Sequence, residues 1–98
     1  MNYSEEAQKL VLGARNGTYG NPDQDYAKTA KMWSGLLLPK LKDGVEITAK
    51  EAVLMMICVK LSREVHCPKP DNLIDIHGYA LCAEWIEKGA PPEVQKNT

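Results

Sequence analysis

Lys60, Arg63, Lys69, Asp71, Asp75 and Tyr79 bring three cations, two carboxylates and a phenol into one short stretch of the chain. Asp71, Asp75 and Tyr79 recur at intervals of four, which places them on one face of a helix. Lys60 and Arg63, three apart, share a side of the helix before it. A short turn carrying Lys69 would bring both sets together. A guanidinium can hold a phosphate through two parallel hydrogen bonds, ammonium groups add point charge, and a carboxylate accepts from ribose or base. The same residues would also make an interhelical ion-pair network with Tyr79 packed beside it, and spacing alone leaves both readings open.

A second cluster runs Arg15, Asn16, Gly17, Thr18, Tyr19, Gly20, Asn21, Pro22. Two glycines around an aromatic, leading into a helix N-terminus, offer backbone N–H groups and a stacking face suited to an anion or a base. A plain helix-to-helix turn has the same composition. Candidate Mg²⁺ carboxylates are Asp71 with Asp75, Glu84 with Glu87, Asp23 with Asp25, and Glu51. Glu84 and Glu87, near a helix end, fit a solvated face. His66 beside Cys67 lacks a second pair at zinc spacing. The sequence carries neither a Walker loop nor a dinucleotide fingerprint, so we assign no catalytic residue and no metal ligand.

Four helices are predicted to position these groups. Ser4 caps the first, with Glu5 and Glu6 in its first turn and Ala7, Leu10, Val11 and Ala14 on its apolar face, ending near Asn16-Gly17. Asn21 and Pro22 start the second, whose apolar face is Tyr26, Ala27, Ala30, Trp33, Leu36 and Leu37, and Pro39 closes it. The connection from Lys40 to Ile47 has an Asp43-Gly44 turn signal with room for a short hairpin. Thr48-Ala49-Lys50-Glu51 is a capping box ahead of Ala-Val-Leu-Met-Met-Ile-Cys-Val, so the third helix is apolar almost all round and should be central. His66-Cys67-Pro68-Lys69-Pro70 stops it. Asp71 caps the fourth helix, with Leu73, Ile74, Ile76, Ala80, Leu81, Ala83 and Ile86 apolar and Gly89 as its left-handed end. Trp33 and Trp85 read as packing residues.

The predicted fold class is therefore all-α: one four-helix domain of antiparallel pairs over residues 1–89, with a disordered tail over 90–98. Its length of 98 residues suits a single domain. Three neighbouring helices do not cover the third, so completion by homo-oligomerisation is expected. With 12 basic and 13 acidic residues, the chain lacks the global positive field that draws nucleic-acid polymers or anionic membranes. Three cysteines without paired spacing suit a reducing compartment, and neither a signal segment nor a membrane span is readable, so a cytoplasmic location is expected.

Tyr19-Gly20-Asn21-Pro22, Tyr26, Met32-Trp33-Ser34, Lys60-Leu61-x-Arg63, Lys69-x-Asp71 and Asp75-Ile76-x-Gly78-Tyr79-Ala80 together resemble a family of small bacteriophage and prophage proteins that forms a domain of unknown function. The resemblance spans about residues 5–88. That family is in turn similar to the all-α nucleotide pyrophosphohydrolases of the MazG type and to phage nucleotide-modification proteins. The likeness implies a MazG-like fold and a nucleotide-type ligand between the third and fourth helices. The hydrolases hold Mg²⁺ with a Glu-x-x-Glu pair, whereas this chain offers only Asp23 and Asp25 between Arg15 and Leu38.

These readings predict a phage-type protein that binds a nucleotide or nucleotide-derived immune signal without turnover, in the host bacterial cytoplasm. The expected ligand residues are Arg15, Tyr19, Gly20, Asn21, Lys60, Arg63, Lys69, Asp71, Asp75 and Tyr79, with no cofactor. Two alternatives stand beside this: a Mg²⁺-dependent nucleoside triphosphate pyrophosphatase, the one case that calls for a metal, and a structural or protein-interaction module.

Overall fold

The structure is a computed structural model that describes residues 2–93, the side chains of residues 14–16 excepted. Its described residues form four helices and no strand, so the all-α class is correct. The first helix covers residues 3–19 in three parts: an α-helical stretch Tyr3–Lys9, a π-helical stretch Leu10–Ala14 and an α-helical stretch Arg15–Tyr19. The second is Pro22–Leu36, the third Ala49–His66 and the fourth Pro70–Lys88.

Two boundaries of the first helix differ from expectation. Asn2, not Ser4, is the cap: its side-chain oxygen accepts from the Glu5 backbone N–H at 3.1 Å. An Asx side chain in extended backbone reaches the third following N–H, so the helix starts two residues earlier. At the other end the helix passes through Gly17 and stops at Gly20. Only Gly20, with φ +83°, takes the left-handed conformation that terminates a helix there. Tyr19 is consequently a last-turn residue rather than a loop residue.

Asn21 occupies the cap position of the second helix in extended backbone, and Pro22 fills the first helical position as predicted. The buried face is Pro22, Tyr26, Ala30 and Ser34, at strict intervals of four. Ala27 and Leu36, assigned to the apolar face from the sequence, are exposed. Ser34 replaces them by a polar device. Its hydroxyl donates to the Ala30 carbonyl at 2.7 Å and accepts from the Ile47 N–H at 2.8 Å. That second bond ties the connection to the core. The connection holds a single 3-10 turn, Leu38–Lys40, and the expected turn at Asp43-Gly44, closed by the Val45 N–H on the Lys42 carbonyl at 3.0 Å, without a hairpin.

The capping box of the third helix is complete. The Glu51 N–H donates to Thr48 Oγ1 at 3.1 Å, and the Thr48 N–H donates to Glu51 Oε1 at 2.9 Å. Hydrogen bonding from the Thr48 backbone N–H, and then from its side chain, to the charged form holds the Glu51 carboxyl below the usual glutamate range.

The centre of the fold is the fourth helix, not the third. It buries Asn72, Ile74, Gly78, Cys82, Ala83 and Trp85, whereas the third fully buries only Ala52 and Val53. The first and third helices both pack on the fourth, and the second packs across both of the last two. An apolar sequence therefore did not mark the central element, because buried contact with neighbours needs small residues as much as large ones. Gly78 is buried against the first helix, where a Cβ would lie at ordinary contact distance, 3.5 Å from Val11 Cγ2 and 3.9 Å from Ala7 Cβ. Leu73 and Ala80, expected on the buried face, are exposed. Val11, Tyr26, Ala30, Ala52, Val53, Cys82, Ala83 and Trp85 make the core, with Trp33 packed against it.

Candidate functional site

Pro68 and Pro70 forbid helical continuation, and the turn they enforce is fixed by two side chains. The Lys69 backbone N–H donates to Glu64 Oε1 at 2.9 Å, and Asn72 Nδ2 donates to the same oxygen at 3.2 Å and lies 3.4 Å from the Cys67 carbonyl oxygen. Lys69 is the cap residue of the fourth helix. This corrects the assignment of Asp71, because Pro70 takes the first helical position, where its missing N–H costs nothing, and leaves Asp71 inside the first turn. The Lys69 side chain has no oxygen with which to cap the helix, and Glu64 supplies an acceptor for the turn from the preceding helix. Neither Glu64 nor Asn72 was assigned a site role from the sequence. Their signal is a carboxylate one turn before the helix end and a buriable amide just past a helix-starting proline.

The predicted ligand residues fall into two groups around this turn. In the first, Lys60 Nζ lies 2.8 Å from Asp75 Oδ2, both side chains being largely withdrawn from solvent. Asp75 and Tyr79 line a small cavity of about 70 Å³ with Leu10, Val11, Ile74, Gly78 and Cys82. The Tyr79 ring meets Tyr26 edge to face, with centroids 6.4 Å apart and planes at 77°. On the other side Asp71 and Asp75 border an open depression of about 350 Å³ with Glu6, Leu10 and Ile74.

The second group is Arg63 and Lys69. Both are exposed, and they line an open concavity of about 410 Å³ with Ser62, His66, Cys67 and Asn72. Neither joins an ion pair among the described residues, in contrast to Lys60. The difference follows from position. Lys60 lies a turn deeper in the third helix, opposite the second turn of the fourth, whereas Arg63 lies level with the chain reversal.

Tyr19, Gly20 and Asn21 join the first helix to the second and lie outside the linings of these three depressions. The side chain of Arg15 lies outside the described residues. Glu84 and Glu87 carry surface ion pairs, to Lys88 at 3.8 Å and Lys50 at 3.0 Å, as a solvated face does. Among the described residues no three His, Cys, Asp or Glu side chains converge as a metal cage would require. No helix among them is long and apolar enough to cross a membrane.

The profile of a family described as a domain of unknown function, DUF6378, matches residues 3–87. Two curated relatives are similar over 82 residues each. The Gene 55 protein of Mycobacterium phage D29 is 35% identical over 84% of this chain and 51% of its own length. The Gene 55 protein of Mycobacterium phage L5 is 30% identical over 83% of this chain and 49% of its own length. The chain thus spans about half the length of these relatives. No solved structure matches it.

Proposed function

The chain belongs to the DUF6378 family, a domain of unknown function, and on that premise we propose that it binds a small phosphate-bearing ligand of the nucleotide type at the turn between its third and fourth helices. The observation that carries this reading is the concavity holding Arg63 and Lys69, two cations that no carboxylate neutralises among the described residues. Its volume of about 410 Å³ is that of a small-molecule site. The Glu64–Asn72 bonds fix the turn beforehand, so little ordering is required on binding. The start of a 19-residue helix adds the positive end of its dipole nearby.

In this reading the phosphate sits on Arg63 and Lys69. Asp71, Asp75 and Tyr79 are the groups for sugar and base, and Lys60 holds Asp75 in place. The relatives are proteins of mycobacteriophages, which supports a phage setting. There, retention of a host nucleotide, an immune signal included, without turnover in the bacterial cytoplasm is the function we propose. A MazG-like arrangement of the helices and a homo-oligomeric state belong to the same reading.

Calorimetry with nucleoside triphosphates, cyclic dinucleotides and ADP-ribose derivatives, followed by thin-layer chromatography of the ligand, tests it. Binding with the ligand recovered intact is the expected result. Metal-dependent release of pyrophosphate that disappears in Asp75→Asn would establish a pyrophosphatase instead. Absence of binding to every probe would leave a structural or protein-interaction module.

A further inference from the structure

Two depressions flank the first turn of the fourth helix, and their linings are opposite in charge. The concavity at the chain reversal is lined by Arg63, His66 and Lys69 and by no carboxylate. The depression between the first and fourth helices is lined by Glu6, Asp71 and Asp75 and by no cation. Asn72 belongs to the first lining and Asp71, Ile74 and Asp75 to the second, so the two lie on different sides of one helical turn. With its side chains a helix is about 10 Å across, a span that a single nucleotide bridges.

The contrast survives the resident ion pairs. Glu6 is 3.4 Å from Lys9 and Asp75 is 2.8 Å from Lys60, yet neither lysine lines the depression, and Asp71 joins no ion pair among the described residues. An ionised carboxylate accepts hydrogen bonds and donates none, so this side takes hydroxyl or amino groups and repels a second phosphate. On the basic side Arg63 and Lys69 supply two charges. A phosphate monoester carries about −1.5 to −2 at neutral pH and offers three terminal oxygens, which those two cations balance. The Glu64 carboxylate, fixed at the turn by the Lys69 N–H at 2.9 Å, disfavours any anionic charge beyond that.

Resting on the phosphate site proposed above, we infer that the ligand is charged at one end only: a nucleoside 5′-monophosphate with an unphosphorylated ribose diol, its phosphate on Arg63 and Lys69 and its diol on Asp71. A cyclic dinucleotide, with phosphates on two sides of its ring, and a 3′,5′-bisphosphate both bring an anion to Asp71. A triphosphate brings surplus charge to the turn.

Calorimetry of the full chain with the four common ribonucleoside 5′-monophosphates, their 5′-methyl phosphate esters, the 3′,5′-bisphosphates, the triphosphates and cyclic di-AMP tests this. A monophosphate should bind about tenfold tighter than its methyl ester, which has lost a terminal charge, and tighter than the bisphosphate and triphosphate of the same base. Asp71→Asn should narrow the gap between monophosphate and bisphosphate by about threefold, and Arg63→Ala should remove the preference over the methyl ester. A bisphosphate, triphosphate or cyclic dinucleotide that binds at least as tightly as the monophosphate, and is weakened by Arg63→Ala, overturns the single-ended ligand and leaves the phosphate site standing. So does equal binding of the methyl ester, or a bisphosphate gap that Asp71→Asn leaves unchanged. Absence of binding to every probe, or binding that Arg63→Ala leaves unaltered, overturns both.

Discussion

Lys60 Nζ and Asp75 Oδ2 are 2.8 Å apart, and at 14% and 34% side-chain exposure they form the most buried ion pair among the described residues. Because the pair joins the third helix to the fourth, its removal should be felt in stability first. Asp75→Asn leaves the Lys60 ammonium partly buried beside a neutral amide, at a cost of about 1–3 kcal/mol. In a domain of this size each kcal/mol lowers Tm by roughly 4–8 °C. Lys60→Met with Asp75→Asn should recover part of the loss, since the desolvated charge is then gone. A double-mutant cycle in urea measures this, and strict additivity would show that the two groups do not interact.

Glu64 and Asn72 should behave as a unit of a different kind. Asn72 is 7% exposed, and its amide bonds the same carboxylate that accepts the Lys69 N–H. Asn72→Ala strands part of that network at about 1–3 kcal/mol. Glu64→Gln keeps an acceptor and should cost less than Glu64→Ala. If the turn organises a phosphate site, Asn72→Ala also weakens phosphate binding under conditions where the protein stays folded, which calorimetry at low temperature would read.

The capping box fixes the sign of one pH dependence. The hydrogen bonds from Thr48 lower the folded-state pKa of Glu51 below its unfolded value. The resulting stability is fully present above the unfolded pKa and is lost as pH falls through the folded one. The Tm advantage of the parent over Glu51→Gln should therefore hold at neutral pH and shrink under acid conditions below the carboxylate range. Thr48→Ala, which removes the hydroxyl acceptor, should cost about 1 kcal/mol. An advantage that grew on acidification would contradict this assignment.

Gly78 faces the first helix, yet the Cβ it lacks would meet Val11 at 3.5 Å, an ordinary contact distance. Its backbone is helical, so no left-handed conformation requires glycine. Gly78→Ala should then gain about 0.5–1 kcal/mol from reduced unfolded-state freedom. A loss of stability in thermal melts would mean that the first helix is held closer than these distances allow.

Much of the architecture was legible because local rules decided it. The Thr48–Glu51 box, Pro22 at a helix start, the two prolines of the turn and Gly89 as a left-handed stop are each settled within a few residues. What failed depended on distant neighbours. Leu36 and Leu73 are apolar yet exposed, while Ser34 is buried beside the Ile47 segment, Asn72 beside Glu64 of the third helix and Gly78 against the first helix. The cluster of site residues was likewise found as a set, but its division was not. Nothing in the spacing of Lys60, Arg63 and Lys69 says which cation meets Asp75.

That division makes Arg63 the discriminating residue. It is exposed, makes no ion pair among the described residues and lines the concavity of the turn. Its truncation should therefore change Tm within about ±0.5 kcal/mol of stability, as surface substitutions do. If a phosphate is held there, the loss of a bidentate guanidinium should weaken binding by about 1.5–3 kcal/mol, at least tenfold in Kd. Arg63→Lys should restore charge but not the two-pronged geometry, and so recover affinity only in part. Lys60→Ala should show the reverse pattern, with a large stability loss. Were Arg63→Ala to melt much earlier than the parent while ligand affinity held, the guanidinium would be a structural strut and the phosphate would have to lie elsewhere.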